Sequence, residues 1–473
     1  MPRAAKPQIS FADWELLQQG ISLEPLLQSI SDFLDDHEEM IEAVRRDLER
    51  GLKNPETGRS GLTPPQVLRS LILMRVKNWN YRELRERIAD GLSLRRFTCF
   101  YSSPVPKKHK AFNDAFNKLR PPTIQAINDL VVRGAVALGL EDGSKLRVDT
   151  TVSETDIHHP TDNTLLWDVV RVVTRLVGRL GELLPKGIPG FTDRTRSARR
   201  RMQEIQRMTA RQRHDQQEEK YRELIRTTEQ VVGNARQVLE KTKDVHVVDV
   251  MDDIAIQELR RMIEHYSQLG DRVIDQTRRR VLKGEQVPAN EKIYSIFETH
   301  TDLIKRGKIQ KPIEFGHKIF LAESARGLIT QYRVLDGNPS DHIHVKPSLE
   351  HHKAVFGYAP DLYSGDRGVF TEENIQECEK AGVKLVCIPQ CGGKRSSERE
   401  AFEKSPAFKK GQRFRAGIEG RISVLFRGRG MKRCLAEGRE RFELFVGACV
   451  LANNLMIIAQ LLIQKEKRQR KAA

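Results

Sequence analysis

The sequence predicts a mixed α/β fold: a mixed β-sheet with flanking helices, interrupted by a helical insertion and preceded by an all-α N-terminal domain. Residues up to about 140 show helical periodicity, a strand-like alternation begins at 146, and strand signals return after 290. Residues 160–290, between the two strand regions, are rich in Arg, Gln and Glu with helical spacing. A length of 473 residues exceeds one ordinary core, so we expect two or three domains.

The charge of the chain favours a polyanionic partner. Lys and Arg total 81 against 64 Asp and Glu, a formal net charge of +17. Such a balance is typical of nucleic-acid-binding proteins, and a solvated basic surface is the alternative. The six cysteines are scattered without a CxxC pair, which favours reduced thiols over a zinc site or a disulfide framework. The first fifteen residues contain no apolar run, so no secretory signal is expected.

We divide the chain by these composition changes into four parts. They are a helical N-terminal domain (1–140) with a helix-turn-helix-like core (62–100), a sheet domain (141–160 and 291–464), an Arg-rich helical insertion (161–290) and a basic tail (465–473). The sequence contains neither G-x4-GK[ST] nor GxGxxG, so no nucleotide cofactor is expected.

The N-terminal domain contains a well-delimited helical block. Thr63, followed by two prolines and Gln66, predicts a capped helix start, and Asn80 with Glu83 predicts a second. A third short helix is expected from Ser93 through Phe100. Helix, turn and helix with outward arginines suit DNA binding, and an ordinary helical bundle is an equal alternative. The arginines concerned are Arg82, Arg85, Arg87, Arg95 and Arg96.

The insertion has its own basic cluster. We expect long helices here, arranged as an antiparallel hairpin. Few acidic residues are interleaved with the arginines from 194 to 213, which favours phosphate contact over a solvated face. We take Arg199, Arg200 and Arg201 as the candidate DNA contacts.

The sheet domain begins with an alternating segment. In residues 146–152, Leu146 and Val148 share one strand face, and Arg147 and Asp149 share the other. Further strands are expected at 295–301, 317–324, 328–337, within 355–366, and at 384–390. Helices are expected at 342–354, 371–382, 412–427 and 436–464.

The last predicted helix contains an uncharged stretch of membrane-spanning length, residues 444–463. Asn453 and Asn454 lie together at its middle, and Gln460 follows. Polar residues at the centre favour a buried helix of a globular domain over a membrane span. We therefore expect no membrane association.

Three carboxylates are placed where metal-dependent chemistry would need them. Asp149 lies on the first strand, Asp366 just beyond a later strand, and Glu419 on a helix. Strand ends and a facing helix can bring three acids to one point, where they would suit two Mg²⁺ ions about 3.5–4 Å apart. Taken singly, each acid is more simply a strand, turn or helix surface residue.

The residues around these acids support a shared site. Arg415 lies four residues before Glu419 on one helix face, where a guanidinium could hold a DNA phosphate. Gly417 and Gly420 lie within the same helix and each should disfavour it by about 1 kcal/mol. Close backbone approach or tight packing would explain their presence.

The combination of blocks resembles the RNase H-like DDE transposases of bacterial insertion sequences, in particular the ISNCY-like group. The similar blocks are RVDTTVSETDIHHPTDNTLLWD (147–168), EFGHKIFLAESARGLITQYRVLDGNPSD (314–341), GYAPDLYSGDRGVFTEENI (357–375), RFRAGIEGRISVLFRGRGMKRC (413–434) and the helical block 64–97. The resemblance covers roughly 60–168 and 295–460 and leaves the insertion aside.

The resemblance implies an RNase H-like catalytic domain with Asp149, Asp366 and Glu419 as catalytic metal ligands. It implies two bound ions of Mg²⁺ or Mn²⁺. It also implies cleavage and joining of transposon-end DNA. Arg415 and Glu419 match the Arg and Glu of a Tyr-x2-Arg-x3-Glu-x6-Lys signature, whereas Gln412 and Phe426 replace its Tyr and Lys. Arg421 and Arg427 are further candidate DNA contacts on this helix.

Several further expectations accompany this interpretation. His317, Asn338 and Asp341 are candidates for supporting the metal ligands. The partners expected are double-stranded DNA, as element ends and target, and a second copy of the chain in the DNA complex. The expected location is the bacterial cytoplasm, with the nucleoid. Two alternatives stay open: a non-catalytic DNA-binding protein derived from a transposase, and an RNase H-like nuclease that cuts without joining.

Overall fold

The computed structural model describes residues 22–54, 57, 61–188, 190–305 and 312–472. The chain forms two compact units, the first comprising residues up to Glu154 and from His317 onward, the second Thr155–Gly316. Within the described residues, the helical N-terminal domain begins with Pro25–Asp35 (α1) and Glu38–Glu49 (α2). Residues 1–21, on which the expectation of no secretory signal rests, lie outside the described residues.

The first unit contains a helical layer and an α/β layer. Its further helices are α3 (Pro64–Val76), α4 (Tyr81–Asp90), α5 (Leu92–Phe97), α6 (Lys110–Phe116) and α7 (Pro121–Ala137). The helices of the second unit are α8 (Asp162–Leu183), α9 (Thr195–Arg207), α10 (Ala210–Lys241) and α11 (Val250–Thr277). Those after the second unit are α12 (Val345–Phe356), α13 (Glu372–Ala381), α14 (Ser397–Lys404), α15 (Pro406–Gly428) and α16 (Arg439–Ala472).

Two predicted helix starts in the helical layer are confirmed. Thr63 Oγ1 accepts from the Gln66 backbone N–H at 3.3 Å, and Gln66 Oε1 accepts from the Thr63 N–H at 3.0 Å. Asn80 and Glu83 form the same reciprocal pair at the start of α4. The third helix ends at Phe97 instead of reaching 100, because Cys99 has a φ of 57°, which turns the chain out of a right-handed helix.

The six described strands belong to one mixed sheet. They are β1 (Lys145–Glu154), β2 (Asp302–Lys305), β3 (Ile313–Ser324), β4 (Ile329–Val334), β5 (Leu362–Ser364) and β6 (Leu385–Cys387). In the first unit the strand order is β3-β1-β5-β6, with β4 paired to β3. β1, β5 and β6 run parallel, whereas β3 and β4 form the expected antiparallel hairpin. Gly327 closes this hairpin with a φ of 92°.

Helices cover both faces of this sheet within the first unit. Side chains from β1 and β3, including Val148 and Phe320, pack with Val345 of α12 and Cys378 of α13. On the opposite face, Ile319 and Leu321 of β3, the neighbours of Phe320 in the alternation, pack with Ile418 of α15 and Val446 of α16. This alternation makes the unit a helix–sheet–helix sandwich. A mixed fold with a mixed sheet is therefore confirmed.

One predicted strand is wrong. Residues 295–301 form turns, and the nearest strand, β2, covers Asp302–Lys305 instead. The Ser295 hydroxyl accepts hydrogen bonds from the backbone N–H groups of Phe297 at 3.1 Å and Glu298 at 3.2 Å. A hydroxyl that satisfies two local N–H groups competes with a strand ladder. The alternating pattern thus reflects a local turn with buried side chains.

The second unit is a helical assembly around its own aliphatic core, with β2 and the start of β3 paired at Ile313–Gly316. It contains four described α-helices, whereas the expected antiparallel hairpin would have only two. α8, α10 and α11 meet closely at Gly270, where a Cβ atom would lie 2.9 Å from Val169 Cγ1 and 3.0 Å from Val232 Cγ2. A larger side chain would separate these helices.

The long C-terminal helix α16 is apolar enough by length and composition to cross a membrane, but 72% of its most apolar window is buried within the protein. Asn454, at its middle, has no exposed surface: its side chain accepts from the Ile329 N–H and donates to the Ile329 carbonyl, both at 2.8 Å. Residues 465–472, the expected basic tail, continue the helix. The expectation of a buried core helix is confirmed.

Candidate active site

The register of two parallel strands brings two of the predicted acids to one end of the sheet. β1 and β5 pair so that Arg147 lies opposite Ser364. Asp149 lies two residues after Arg147, and Asp366 lies two residues after Ser364. Asp366 caps a short 3₁₀ turn by accepting the Gly368 N–H at 3.0 Å, and Asp149 accepts the N–H of its neighbour in β1 at 2.8 Å. Local hydrogen bonds therefore orient both carboxylates.

Helix α15, which carries the third acid, lies close against the same strands. A Cβ atom on Gly411 would be 2.2 Å from Cys387 Sγ, so only glycine permits this approach. The Gln412 side chain donates to the Cys387 carbonyl at 2.6 Å. Arg147 Nη1 of β1 donates to the Phe414 carbonyl at 2.6 Å. These contacts fix the helix across β1 and β6, and they give Gln412 a role in positioning the helix.

The structure brings Asp149, Asp366 and Glu419 together around one guanidinium. Arg415 Nη2 lies 2.9 Å from Asp149 Oδ2 and 4.0 Å from Asp366 Oδ2, and Arg415 Nη1 lies 3.2 Å from Glu419 Oε1. The Arg415 side chain is 18% exposed and that of Asp149 14%, whereas Glu419 is 69% exposed. Arg415 and Asp149 are therefore largely covered, Asp366 is intermediate at 36%, and Glu419 lies at the surface.

The carboxylates match a hard divalent cation in donor type, because Mg²⁺ and Mn²⁺ bind oxygen ligands. Their spacing is set by the guanidinium between them. Among the residues that the structure describes, no group of three His, Cys, Asp or Glu side chains stands close enough to share one metal ion. The three acids thus offer the oxygen ligands of a metal site. Their carboxylates, however, are spaced around Arg415 as in a salt-bridge cluster.

A fourth carboxylate lies beside this cluster. A Cβ atom placed on Gly368 would be 3.2 Å from Asp341 Oδ2 and 3.3 Å from Asp366 Oδ1, so both side chains face the same point. Asp341 Oδ1 accepts from Lys318 Nζ at 2.7 Å and from the Thr150 hydroxyl at 3.1 Å. The predicted supporting residue Asp341 therefore lies near the acids, and Lys318 is an adjacent group that sequence reasoning missed.

The other two predicted supporting residues lie elsewhere. His317 is buried, 2.8 Å from Arg439 Nη1 through its Nδ1, and packs edge-on against Phe442. These partners belong to α16. Asn338 is exposed in the loop that follows β4.

A buried ion cluster beneath the acids was also missed. Glu323 of β3 has no exposed side-chain surface and accepts from Arg147 Nε at 2.7 Å and Arg421 Nε at 3.0 Å. The sequence does contain a signal for this cluster: Glu323 has the same parity as Ile319 and Leu321, so the alternation places a carboxylate on a buried face. Arg421, a predicted DNA contact, thus forms an ion pair with Glu323 instead.

The predicted arginines of the helical block differ in their contacts. Arg82 is exposed, Arg96 is half-buried, and Arg85 Nε donates to the Pro106 carbonyl at 3.2 Å. Arg95 donates to the carbonyls of Tyr101 and Ser103, both at 2.7 Å. Arg85 and Arg95 therefore also hold the segment that follows α5.

The remaining predicted DNA contacts lie on helix surfaces. Arg199 is exposed on α9, Arg200 lies 2.9 Å and Arg201 3.1 Å from Glu204, and Arg201 also pairs with Glu223. Arg427 is exposed at the end of α15 and donates to the Ser423 hydroxyl. Acidic neighbours thus already compensate part of the charge on α9.

Comparison with protein-family models matches residues 16–118 to a transposase domain, described as Transposase domain (DUF772). This segment includes α1 to α6 and ends before β1, so it contains none of the three acids. Searches of curated proteins and of solved structures found no match. A transposase family is supported by this domain.

Proposed function

We propose that this protein is a DDE-type DNA transposase of the ISNCY-like group, with an RNase H-like catalytic domain. It would bind the terminal inverted repeats of its element and catalyse metal-dependent strand cleavage and strand transfer. The observation that carries the proposal is the meeting of Asp149, Asp366 and Glu419, from two parallel strands and a facing helix, around Arg415. The transposase domain at 16–118 supports it independently.

The chemistry required is transfer of a phosphoryl group between oxygens. In cleavage, a water oxygen attacks phosphorus, the bond to the 3′ oxygen breaks, and a 3′-hydroxyl is released. In joining, that hydroxyl attacks a phosphorus of the target strand. The bond from this phosphorus to the target's own 3′ oxygen breaks, and that oxygen leaves as a hydroxyl. Divalent cations, when bound, would supply charge stabilisation at both oxygens. Asp149 and Asp366, oriented by backbone N–H groups, and the exposed Glu419 would hold them.

The protein's own contribution is positioning and charge. Asp149 and Asp366 are fixed at the strand ends, and the contacts of Gly411 and Gln412 fix the helix of Glu419. The proposal includes a homodimer, because two element ends must be joined in one complex, and a cytoplasmic, nucleoid-associated location.

The decisive experiment uses labelled DNA that contains the gene's own flanks, incubated with purified full-length protein and Mg²⁺ or Mn²⁺. Wild type should cleave or join at the flank ends. Asp366→Asn should lose at least about a hundredfold in rate while remaining folded, because Asn is as good a helix cap as Asp. Asp361→Asn is the matched control: it lies at the opposite end of β5, pairs with Lys384 at 2.8 Å, and should keep full activity.

The outcomes separate the alternatives. Full metal-dependent activity of Asp366→Asn would contradict the proposed acid site. Tight binding without strand breakage in both metals would favour a DNA-binding protein derived from a transposase. Cleavage of branched or hybrid substrates without regard to the flanks would favour a nuclease that does not join.

A second experiment tests DNA binding by the helical block. Arg82 is exposed, so Arg82→Gln should weaken binding and reduce the slope of log K against log salt by about 1. Arg95 holds two backbone carbonyls, so Arg95→Gln should instead lower Tm. Unchanged binding and salt dependence in Arg82→Gln would remove this residue from the proposed interface.

A further inference from the structure

Arg415 differs from the other half-buried arginines near the site in what holds it. Arg147 is fixed by Glu323 and by a backbone carbonyl, and Arg421 by Glu323 and Asn453. In contrast, every hydrogen bond and ion pair that the structure gives Arg415 goes to Asp149, Asp366 or Glu419. Its Nε is covered and has no partner among the described residues.

The guanidinium therefore satisfies the same oxygens that a divalent cation would need. Mg²⁺ draws its oxygen ligands to about 2.0–2.1 Å, whereas Arg415 holds the nearest acid oxygens at 2.9 Å and 3.2 Å. The centre of the cluster cannot contain both cations, because they compete for Asp149 and repel each other at short range. Three carboxylates and one guanidinium leave excess negative charge, which favours entry of a divalent ion.

We propose that Arg415 occupies the cation position of the acid cluster and that a divalent metal ion binds by displacing it. The proposal rests on the proposed function, because it takes the three acids as the metal site. Arg415 keeps the carboxylates assembled and compensated before metal binds. The described residues give Arg415 no hydrogen bond or ion pair outside these acids, so once displaced it would be available to an anion such as a DNA phosphate. Metal binding and release of the guanidinium are thus one exchange.

The test measures Mn²⁺ affinity of the full-length protein by electron paramagnetic resonance of unbound Mn²⁺, without DNA. Arg415→Gln should bind Mn²⁺ about fivefold or more tightly than wild type, since the competing cation is gone. Arg413→Gln is the matched control: it removes the same charge from an exposed position two residues away, and its affinity should stay within about twofold of wild type.

Two further variants make the outcomes distinguishable. Asp149→Asn should bind Mn²⁺ about tenfold more weakly; if it binds as wild type does, the acids are not the metal site and the proposed function fails with the exchange. If Asp149→Asn weakens binding but Arg415→Gln binds no more tightly than wild type, only the exchange is overturned. Arg415→Lys keeps the charge, so it should bind Mn²⁺ more weakly than Arg415→Gln; equal affinity would also overturn the exchange.

Thermal unfolding gives a readout independent of affinity. Without metal, Arg415→Gln should have a lower Tm than wild type, because three carboxylates lose their shared counter-ion. Saturating Mn²⁺ should raise Tm more in this variant than in wild type. An equal Tm increase in both proteins would contradict displacement.

Discussion

Glu323 fixes Arg147 from a position without exposed surface: Arg147 Nε donates to Glu323 Oε2 at 2.7 Å. The second guanidinium on Glu323, that of Arg421, comes from α15. Because Arg147 also bonds the Phe414 carbonyl, this carboxylate links β3, β1 and the helix of the candidate site.

Glu323→Gln should lower the free energy of unfolding by about 3 kcal/mol, because it leaves two covered guanidiniums with a neutral acceptor. Urea denaturation of both proteins measures the difference. Glu400→Gln is the control: Glu400 is exposed on α14 and pairs with Lys404 at 2.6 Å, so little change is expected. A Glu323 variant as stable as this control would refute a structural role for the cluster.

Two glycines on α15 should respond in opposite directions to alanine. A Cβ atom on Gly417 would lie 2.2 Å from Arg147 Nη1, and hydrogen bonds to Glu323 and Phe414 hold this guanidinium, so Gly417→Ala should destabilise the protein by about 1–3 kcal/mol. Gly420 has nothing within 4 Å, so Gly420→Ala should stabilise it by about 0.5–1 kcal/mol. Chemical denaturation gives both values, and a shift of the same sign in both variants would contradict the packing.

Asn454 should be essential to the packing of α16 on the hairpin. Its amide bonds Ile329 through both N–H and carbonyl, and it donates to Asn128 Oδ1 at 2.8 Å. Asn454→Leu leaves these buried groups without their hydrogen-bond partner. It should therefore lower the free energy of unfolding by roughly 2–4 kcal/mol. Gln460→Leu, on the exposed side of the same helix, should change stability little. Equal effects of the two substitutions in thermal unfolding would count against this role.

Acid should destabilise the fold through two buried histidines. Burial lowers the pKa of His352 from 6.5 to about 4, and burial together with Arg333 lowers that of His344 to about 4. Above pH 6.5 both are neutral whether folded or unfolded. As the pH falls from 6.5 towards 4, only the unfolded chain takes up their protons, so stability decreases through this window.

The contribution of His352 can be separated by His352→Gln, which removes the titration. Between pH 7 and pH 5 this variant should lose about 1–2 kcal/mol less unfolding free energy than wild type. Denaturant titrations at the two pH values measure the loss. His109→Gln, which changes an exposed histidine, serves as control and should keep the wild-type pH dependence. An unchanged loss in His352→Gln would show that its pKa is not lowered by burial.

What the sequence predicted well depends on local chemistry. The helix starts at Thr63 and Asn80 and the β3–β4 hairpin involve residues close in the chain, so their signals are complete within a few positions. Asp149 and Asp366 were expected at strand ends that could meet, and the pairing of β1 with β5 brings them together. Residues 295–301 show the limit of such signals. Their side chains alternate as in a strand, but the Ser295 hydroxyl bonds two local backbone N–H groups and the segment forms a turn.

The roles of individual arginines were beyond sequence reasoning. Arg82 and Arg95 lie in similar basic surroundings in the sequence, yet one is exposed and the other bonds two carbonyls. Arg415 was expected to contact phosphate, but its neighbours in the structure come from positions distant in the chain, Asp149 and Asp366. Charge alone does not specify which partner is nearest after folding.

The position of the second unit in the sequence, between the two segments of the first unit, has a consequence for how the site assembles during synthesis. Strand β1 emerges from the ribosome early, while its parallel neighbour β5 and helix α15 follow only after all of Thr155–Gly316. Closing so long a connection is entropically costly unless the intervening segment first becomes compact. A second unit that folds on its own core shortens the effective connection, so the acids can meet only after that unit has been made.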